Sequence, residues 1–287
     1  MATMSGQYWK QVAASGLAVP SDRPLGDLTA ELTRMLGDTD PEARDGTAYP
    51  TLATWVSRGV YDDLLSGLGD GMAAGLGVGL GERNTDSVFR RSFSALILGE
   101  CIARDNQRPL VPGNKVLEWG DRLATWLLRE RDLRGFVPDK GWAHAVAHGA
   151  DSLATLAQSP HVATNELTVV LDVIADRVLL PVDGLFTNGE PDRLAAATMA
   201  VLRRNIVPLN VLEPWIARLA ATASARASYD DRDPHLKSGN AQSFLRSLHL
   251  QLALGPTPPQ VRPDLLLVIV DALRASNPQY LRAAQPH

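Results

Sequence analysis

The sequence predicts an all-α protein of stacked helical hairpins, and three observations carry that prediction. Apolar residues recur at helical spacing through segment after segment, while convincing strand patterns are missing. Even the best apolar run, Leu265 to Val270, passes directly into DALRAS and reads as helix. Glycine and proline, 23 and 19 of them in 287 residues, punctuate the chain at short intervals and bound each segment. Finally, Leu52, Leu96, Leu153, Leu202 and Leu252 hold comparable places in alternate segments, 44, 57, 49 and 50 residues apart. That spacing suits pairs of helices set side by side, as in a HEAT-like α-solenoid. An irregular all-α globule would use the same helices without superhelical order.

The helices are expected near residues 26–36, 41–58, 62–75, 86–103, 113–131, 140–158, 164–179, 190–204, 209–224, 239–254 and 262–275. This amounts to about ten helices in one domain, residues 25–276, with an N-terminal extension over 1–24 and a C-terminal tail over 277–287. Asp40-Pro41 and Glu190-Pro191 put a proline in the first turn, where its missing N–H costs nothing. Thr85 or Asp86 can cap the helix that runs through FRRSFSALILGECIA. Pro109, Pro160, Pro181 and Pro256 follow helices, and Pro50 should kink the 41–58 segment or split it at Tyr49. Trp55, Trp119, Trp126, Trp142 and Trp215 can fill the seams between neighbouring helices.

Bulk composition narrows the function classes. The chain is 45% hydrophobic and 21% charged with a net charge of −4, which argues against a broad nucleic-acid surface. It has no uncharged apolar run of about 18 residues to span a membrane, and MATMSGQYWKQVAASG lacks a signal-peptide core. The single cysteine, Cys101, lies in an apolar run and reads as a buried, inert thiol. The expectation is a cytoplasmic protein with no cofactor.

The stretch Asp139 to Asp151, DKGWAHAVAHGAD, carries the candidate site. On a helix, His144, His148 and Asp151 fall within a band roughly 60° wide, with Lys140 and Thr155 extending it. Trp142, Val146 and Leu153 fall on the opposite, core-facing side. Two histidines four residues apart match the spacing of zinc-protease helices, but Ala145 stands where those carry a glutamate. A single metal ion cannot easily reach both ends of this stripe, so no bound metal is expected. Structural bonding of the histidines to a closely approaching helix competes with any site. If Leu96 and Leu153 are equivalent, Arg91 and His148 become neighbours roughly 10 Å apart, and Arg91 could grip an anion in two-point fashion. A structural ion pair, with Asp151 or Asp45, is the alternative for Arg91. Tyr49, Arg246 and His249 share the same phase on other helices and would line the same groove.

The segments RDGTAYPTLATWV, DSVFRRSFSALIL, RGFVPDKGWAHAVAHGADSL and FLRSLHLQLAL resemble the bacterial domain-of-unknown-function 2785 family, over about residues 30 to 275. The resemblance implies one all-helical domain and supplies no activity and no catalytic residues.

Two further segments are read as structural. The glycine-rich run Gly67 to Glu82 follows a helix rather than a strand and lacks GK[ST], so it ends a helix and permits close packing rather than cradling a phosphate. Ser228 to Asn240 is a polar connector or flap. The expected function is therefore a binding module that holds a small polar or anionic ligand, or a peptide, near His144, His148, Asp151 and Arg91. An enzyme using the His/His/Asp face and a scaffold for protein interaction are the alternatives.

Overall fold

Proline and glycine decide where most helices begin and end. A computed structural model describes residues 4–225 and 233–281, and these residues are overwhelmingly α-helical. The chain divides into two compact units, Met1–Ser152 and Leu153–His287.

The first unit opens with α1 (Met4–Ala14) and α2 (Leu25–Met35). Within the segment expected as an N-terminal extension, residues 1–24, Trp9 and Leu17 make contacts with the helices that follow. Trp9 is buried and donates its indole N–H to Glu31 at 2.9 Å, and Trp55 donates to the Leu17 carbonyl at 2.9 Å. The expected 41–58 helix is three pieces: α3 (Pro41–Ala43), a π-helical turn (Arg44–Ala48) and α4 (Tyr49–Ser57). Asp40 caps α3 by accepting from the Glu42 amide at 3.0 Å. Pro50 cannot donate to a continuous helix, so a new helix starts beside it, and the wide π turn absorbs the break.

Next come α5 (Leu65–Gly75), α6 (Ser87–Gln107) and α7 (Gly113–Arg129). The glycines of α5 act as spacers. A Cβ on Gly69 would stand 2.2 Å from the Trp119 ring, so only glycine lets that indole lie against the helix. Asp86 makes no cap bond to α6; its carboxylate receives Lys140 Nζ at 2.7 and 2.8 Å instead.

The largest departure from expectation is at residues 136–145. A small antiparallel hairpin, β1 (Phe136–Val137) and β2 (Gly141–Trp142), precedes α8 (Ala145–Ala157), which was expected to begin at 140. Pro138 and Asp139 form the turn: Lys140 N–H donates to the Val137 carbonyl at 3.1 Å, and Asp139 takes a positive φ of 63°. Proline followed by a residue tolerant of positive φ is the signature of a type II turn. The division between the units falls within α8.

The second unit holds α9 (Thr164–Leu179), α10 (Glu190–Leu202), α11 (Leu209–Ala223), α12 (Gly239–Leu254), α13 (Arg262–Ser276) and the short α14 (Pro278–Leu281). Here α9 packs on α11, α10 on α12 and α11 on α13. Trp215 donates to the Leu171 carbonyl at 2.8 Å and meets Phe244 edge-on at 5.9 Å. Of the polar connector Ser228–Asn240, residues 228–232 lie outside the described residues, and Pro234–Lys237 is a 3₁₀ turn. Residues 282–287 of the expected tail are likewise outside them. Among the described residues no helix is long and apolar enough to cross a membrane.

One core group gives the first unit a pH signature. Tyr61 is buried, and burial pushes its phenol up to about 12 from 10.0. Thr29 gives its own proton to the Leu25 carbonyl, so Tyr61 is the donor in the 2.8 Å bond between the two hydroxyls. A raised folded-state value means stability that is complete below pH 10 and lost as pH rises through about 12. The loss should reach about 2–3 kcal/mol. Denaturant titrations across that window should show a steeper alkaline fall for the native protein than for Tyr61→Phe; parallel curves would refute this.

Candidate functional site

The site grows from the junction of the hairpin with α8. His144 does not sit on the helix. It precedes it, with φ 49°, and its carbonyl accepts the first α8 bond from the His148 amide at 2.9 Å. The spacing of four still brings the two rings together, with centroids 5.8 Å apart and nearly perpendicular. On the other side, His144 stacks on the Trp142 indole at 4.3 Å, and Trp142 meets Phe136 edge-on at 5.1 Å. Trp142 was expected in the core; it is 40% exposed and Phe136 53%, because both belong to the outer hairpin and not to a helix. Leu153, expected on the same inner side, is fully buried.

Inward from His148 the rings continue. Phe93 lies edge-on to His148 at 5.1 Å, and Tyr49 lies edge-on to Phe93 at 6.2 Å. Phe136, Trp142, His144, His148, Phe93 and Tyr49 thus form one connected series from solvent to interior. Tyr49 donates to Glu100 at 3.2 Å, and burial raises the Glu100 carboxyl above the usual range for glutamate.

The tautomer of neutral His148 follows from proton counting. Buried Ser92 has one hydroxyl hydrogen and donates it to the Ala143 carbonyl, which can only accept. His148 Nδ1, 2.7 Å from the same oxygen, must then be a donor. Neutral His148 therefore carries its proton on Nδ1 and its lone pair on Nε2. Ser92 is not poised as a nucleophile, because its proton is directed away from the imidazole.

Arg44 fixes the hairpin from below. Its fully buried guanidinium donates to the carbonyls of Lys140 at 2.6 Å and Asp38 at 2.7 Å, and pairs with Asp45 at 2.7 Å. It also lies over the Phe89 and Phe93 rings, 4.0 and 5.1 Å from their centroids. Burial holds its pKa below the usual value and raises that of Asp45. Gly141, with φ 76°, lets this approach happen: a Cβ there would come 3.2 Å from an Arg44 nitrogen and 3.1 Å from Pro41.

Arg91, expected to grip an anion, is fully buried against Glu130, with Nε and Nη2 donating to the two carboxylate oxygens at 2.6 and 2.9 Å. Its remaining nitrogen donates to the carbonyls of Val78 and Gly79 and to Ser87, pinning the glycine-rich turn. The sequence reading of a structural pair was the apt one, though the acid is Glu130 and neither Asp151 nor Asp45. Asp151 lies three residues beyond His148 on α8 and is half-buried. Arg246 and His249 belong to the second unit, where Arg246 is exposed and donates to Asn277 at 2.6 Å. Among the described residues no group of three or more His, Cys, Asp or Glu side chains could hold a metal ion. Cys101 is buried, and burial pushes its thiol far up.

Sequence reasoning missed Arg44, Ser92, Phe93, Phe136 and Glu100. Pro138-Asp139 and Gly141 were the one available signal, since they announce a hairpin and hence an outward Trp142.

No curated protein and no solved structure matches the chain. The pieces that form the junction, from α6 through the hairpin to the start of α8, all lie within residues 76–250, which match the family model described as a protein of unknown function (DUF2785); the match covers more than half of the chain, and the chain belongs to that family.

Proposed function

We propose that the protein is a binding module whose ligand, a small molecule or a peptide, docks on the hairpin and the start of α8. The observation that carries this reading is the pair Phe136 and Trp142, large aromatic rings held in solvent on a braced hairpin and continued by His144. Aromatic side chains presented on a rigid support offer much contact area at little cost in conformational entropy. Arg44 below and the Lys140–Asp86 pair beside the turn supply that support. The ligand would lay a flat apolar group on Trp142 and set a polar group against His144.

A second reading, acid–base catalysis, draws on the fixed tautomer of His148, whose Nε2 lone pair suits a general base. The packing of α9 on α11, α10 on α12 and α11 on α13 supports HEAT-like stacking within the second unit as part of this proposal. The lone buried cysteine supports a reducing compartment such as the cytoplasm.

The test uses a property of the tryptophans. Trp9, Trp55, Trp119, Trp126 and Trp215 are all buried, so Trp142 dominates emission accessible to solvent. A panel of indoles, aromatic acids and short aromatic peptides should include compounds that shift this emission and protect it from acrylamide. Trp142→Ala should weaken their binding by about 2 kcal/mol, as loss of an aromatic anchor does. Binders whose affinity survives both Trp142→Ala and Phe136→Ala would refute the site. Turnover of a bound compound, lost in His148→Gln, would favour the catalytic reading.

A further inference from the structure

The side of α6 away from Ser92 carries a second feature. Arg90 and Ser94 are four residues apart on one helix face, while Ser92 points nearly opposite. Arg90 makes no hydrogen bond, ion pair or ring contact among the described residues, although the chain holds 32 acids. Arg90 is half-buried, and this partial burial, with no acid nearby, holds its pKa below the usual value. Ser94 is fully buried, and its Oγ has no hydrogen-bond partner. Both groups converge on Gly75 at the end of α5: a Cβ there would stand 2.2 Å from Ser94 Oγ and 3.3 Å from Arg90 Nε. On the other flank Gly37 lies against the Arg90 stem, its Cβ position 3.1 Å from Arg90 Cβ.

The fully buried cations of this unit, by contrast, are answered. Arg91 has Glu130, and Arg44 has Asp45, two carbonyls and two rings. A partly desolvated charge without a counter-ion is unfavourable, and so is a buried hydroxyl without a partner. One chemistry answers both at once, an oxyanion that accepts from a guanidinium in two-point fashion and from a hydroxyl. The C-terminal ends of α2 and α5 lie close by, at Gly37 and Gly75, and the negative ends of their dipoles offset part of the Arg90 charge. They supply no hydrogen bond to it.

We propose that Arg90 and Ser94 form an oxyanion-binding site, for a phosphate or carboxylate group, separate from the hairpin site. The anion role expected of Arg91 passes to its neighbour.

The experiment titrates the full chain with inorganic phosphate and with acetate, against sodium chloride at matched ionic strength, by calorimetry and by thermal unfolding. Saturable binding with a rise in Tm is expected for at least one oxyanion and not for chloride; the stronger arm identifies the group. Arg90→Met keeps the packed stem and removes the charge. It should weaken binding by about 10- to 100-fold, the equivalent of one hydrogen bond to a charged group. Without oxyanion it should melt above the native protein, because an unanswered charge is gone. Arg90→Lys should fold and retain part of the binding, which guards against a variant that fails merely by misfolding. A protein whose Tm follows ionic strength alone would overturn the proposal. So would an Arg90→Met variant that melts lower in oxyanion-free buffer while responding to phosphate as the native protein does, since Arg90 would then serve only the helix dipoles.

Discussion

Replacing Glu130 by alanine should destabilise the first unit by about 3–5 kcal/mol, the cost of leaving one member of a buried ion pair uncompensated. Both side chains are fully buried, and Glu130 also accepts from the Trp126 indole at 3.0 Å and from the amides of Arg131 and Asp132. Arg91 would keep the Val78 and Gly79 carbonyls, which cannot neutralise it. Replacing both members by apolar residues, Arg91→Met with Glu130→Leu, should recover much of the loss. Chemical denaturation of the two variants decides the matter. A loss below about 1 kcal/mol for Glu130→Ala would show that the charge finds another outlet.

Arg44→Ala should be the other severe change, costing about 3–4 kcal/mol. The guanidinium ties Lys140 of the hairpin to Asp38 ahead of α3 and fills the space beneath Phe89 and Phe93. Its removal acts on function as well as stability, since the hairpin loses its brace. Hydrogen exchange should quicken at Lys140 and Ala143 well beyond what the fall in global stability allows. If both amides exchange only through global unfolding, the hairpin is held by its own bonds and Arg44 matters for the core alone.

These two residues mark how far the sequence could be read. Helices with strong periodicity and clear ends were legible: α6, α7, α9 and α12 lie close to their expected bounds. So was the break at Pro50, because a missing N–H is a local fact. The identity of long-range partners was not. Nothing local to Arg91 names Glu130, which is 39 residues away, and nothing local to Arg44 names the Lys140 carbonyl, 96 residues away. The candidate site was legible in part. His144 and His148 do meet, yet one is a turn residue and the other a helix residue, so the helical wheel that paired them gave Trp142 the wrong side. A helical period begun at Lys140 runs through Gly141, directly after Pro138-Asp139, and assumes a helix where these residues make a turn. Pro138-Asp139-Lys140-Gly141 read as punctuation would have turned Trp142 outward.

The backbone of His144 has a last consequence. With φ 49° it occupies a left-handed conformation that costs a residue with a side chain roughly 1–2 kcal/mol. Glycine would hold the same turn without that cost. It would also strip away the ring that stacks on Trp142 and links it to His148. Thermal robustness and ring continuity therefore pull position 144 in opposite directions, and a programme of improvement guided by melting temperature alone would erase the imidazole early.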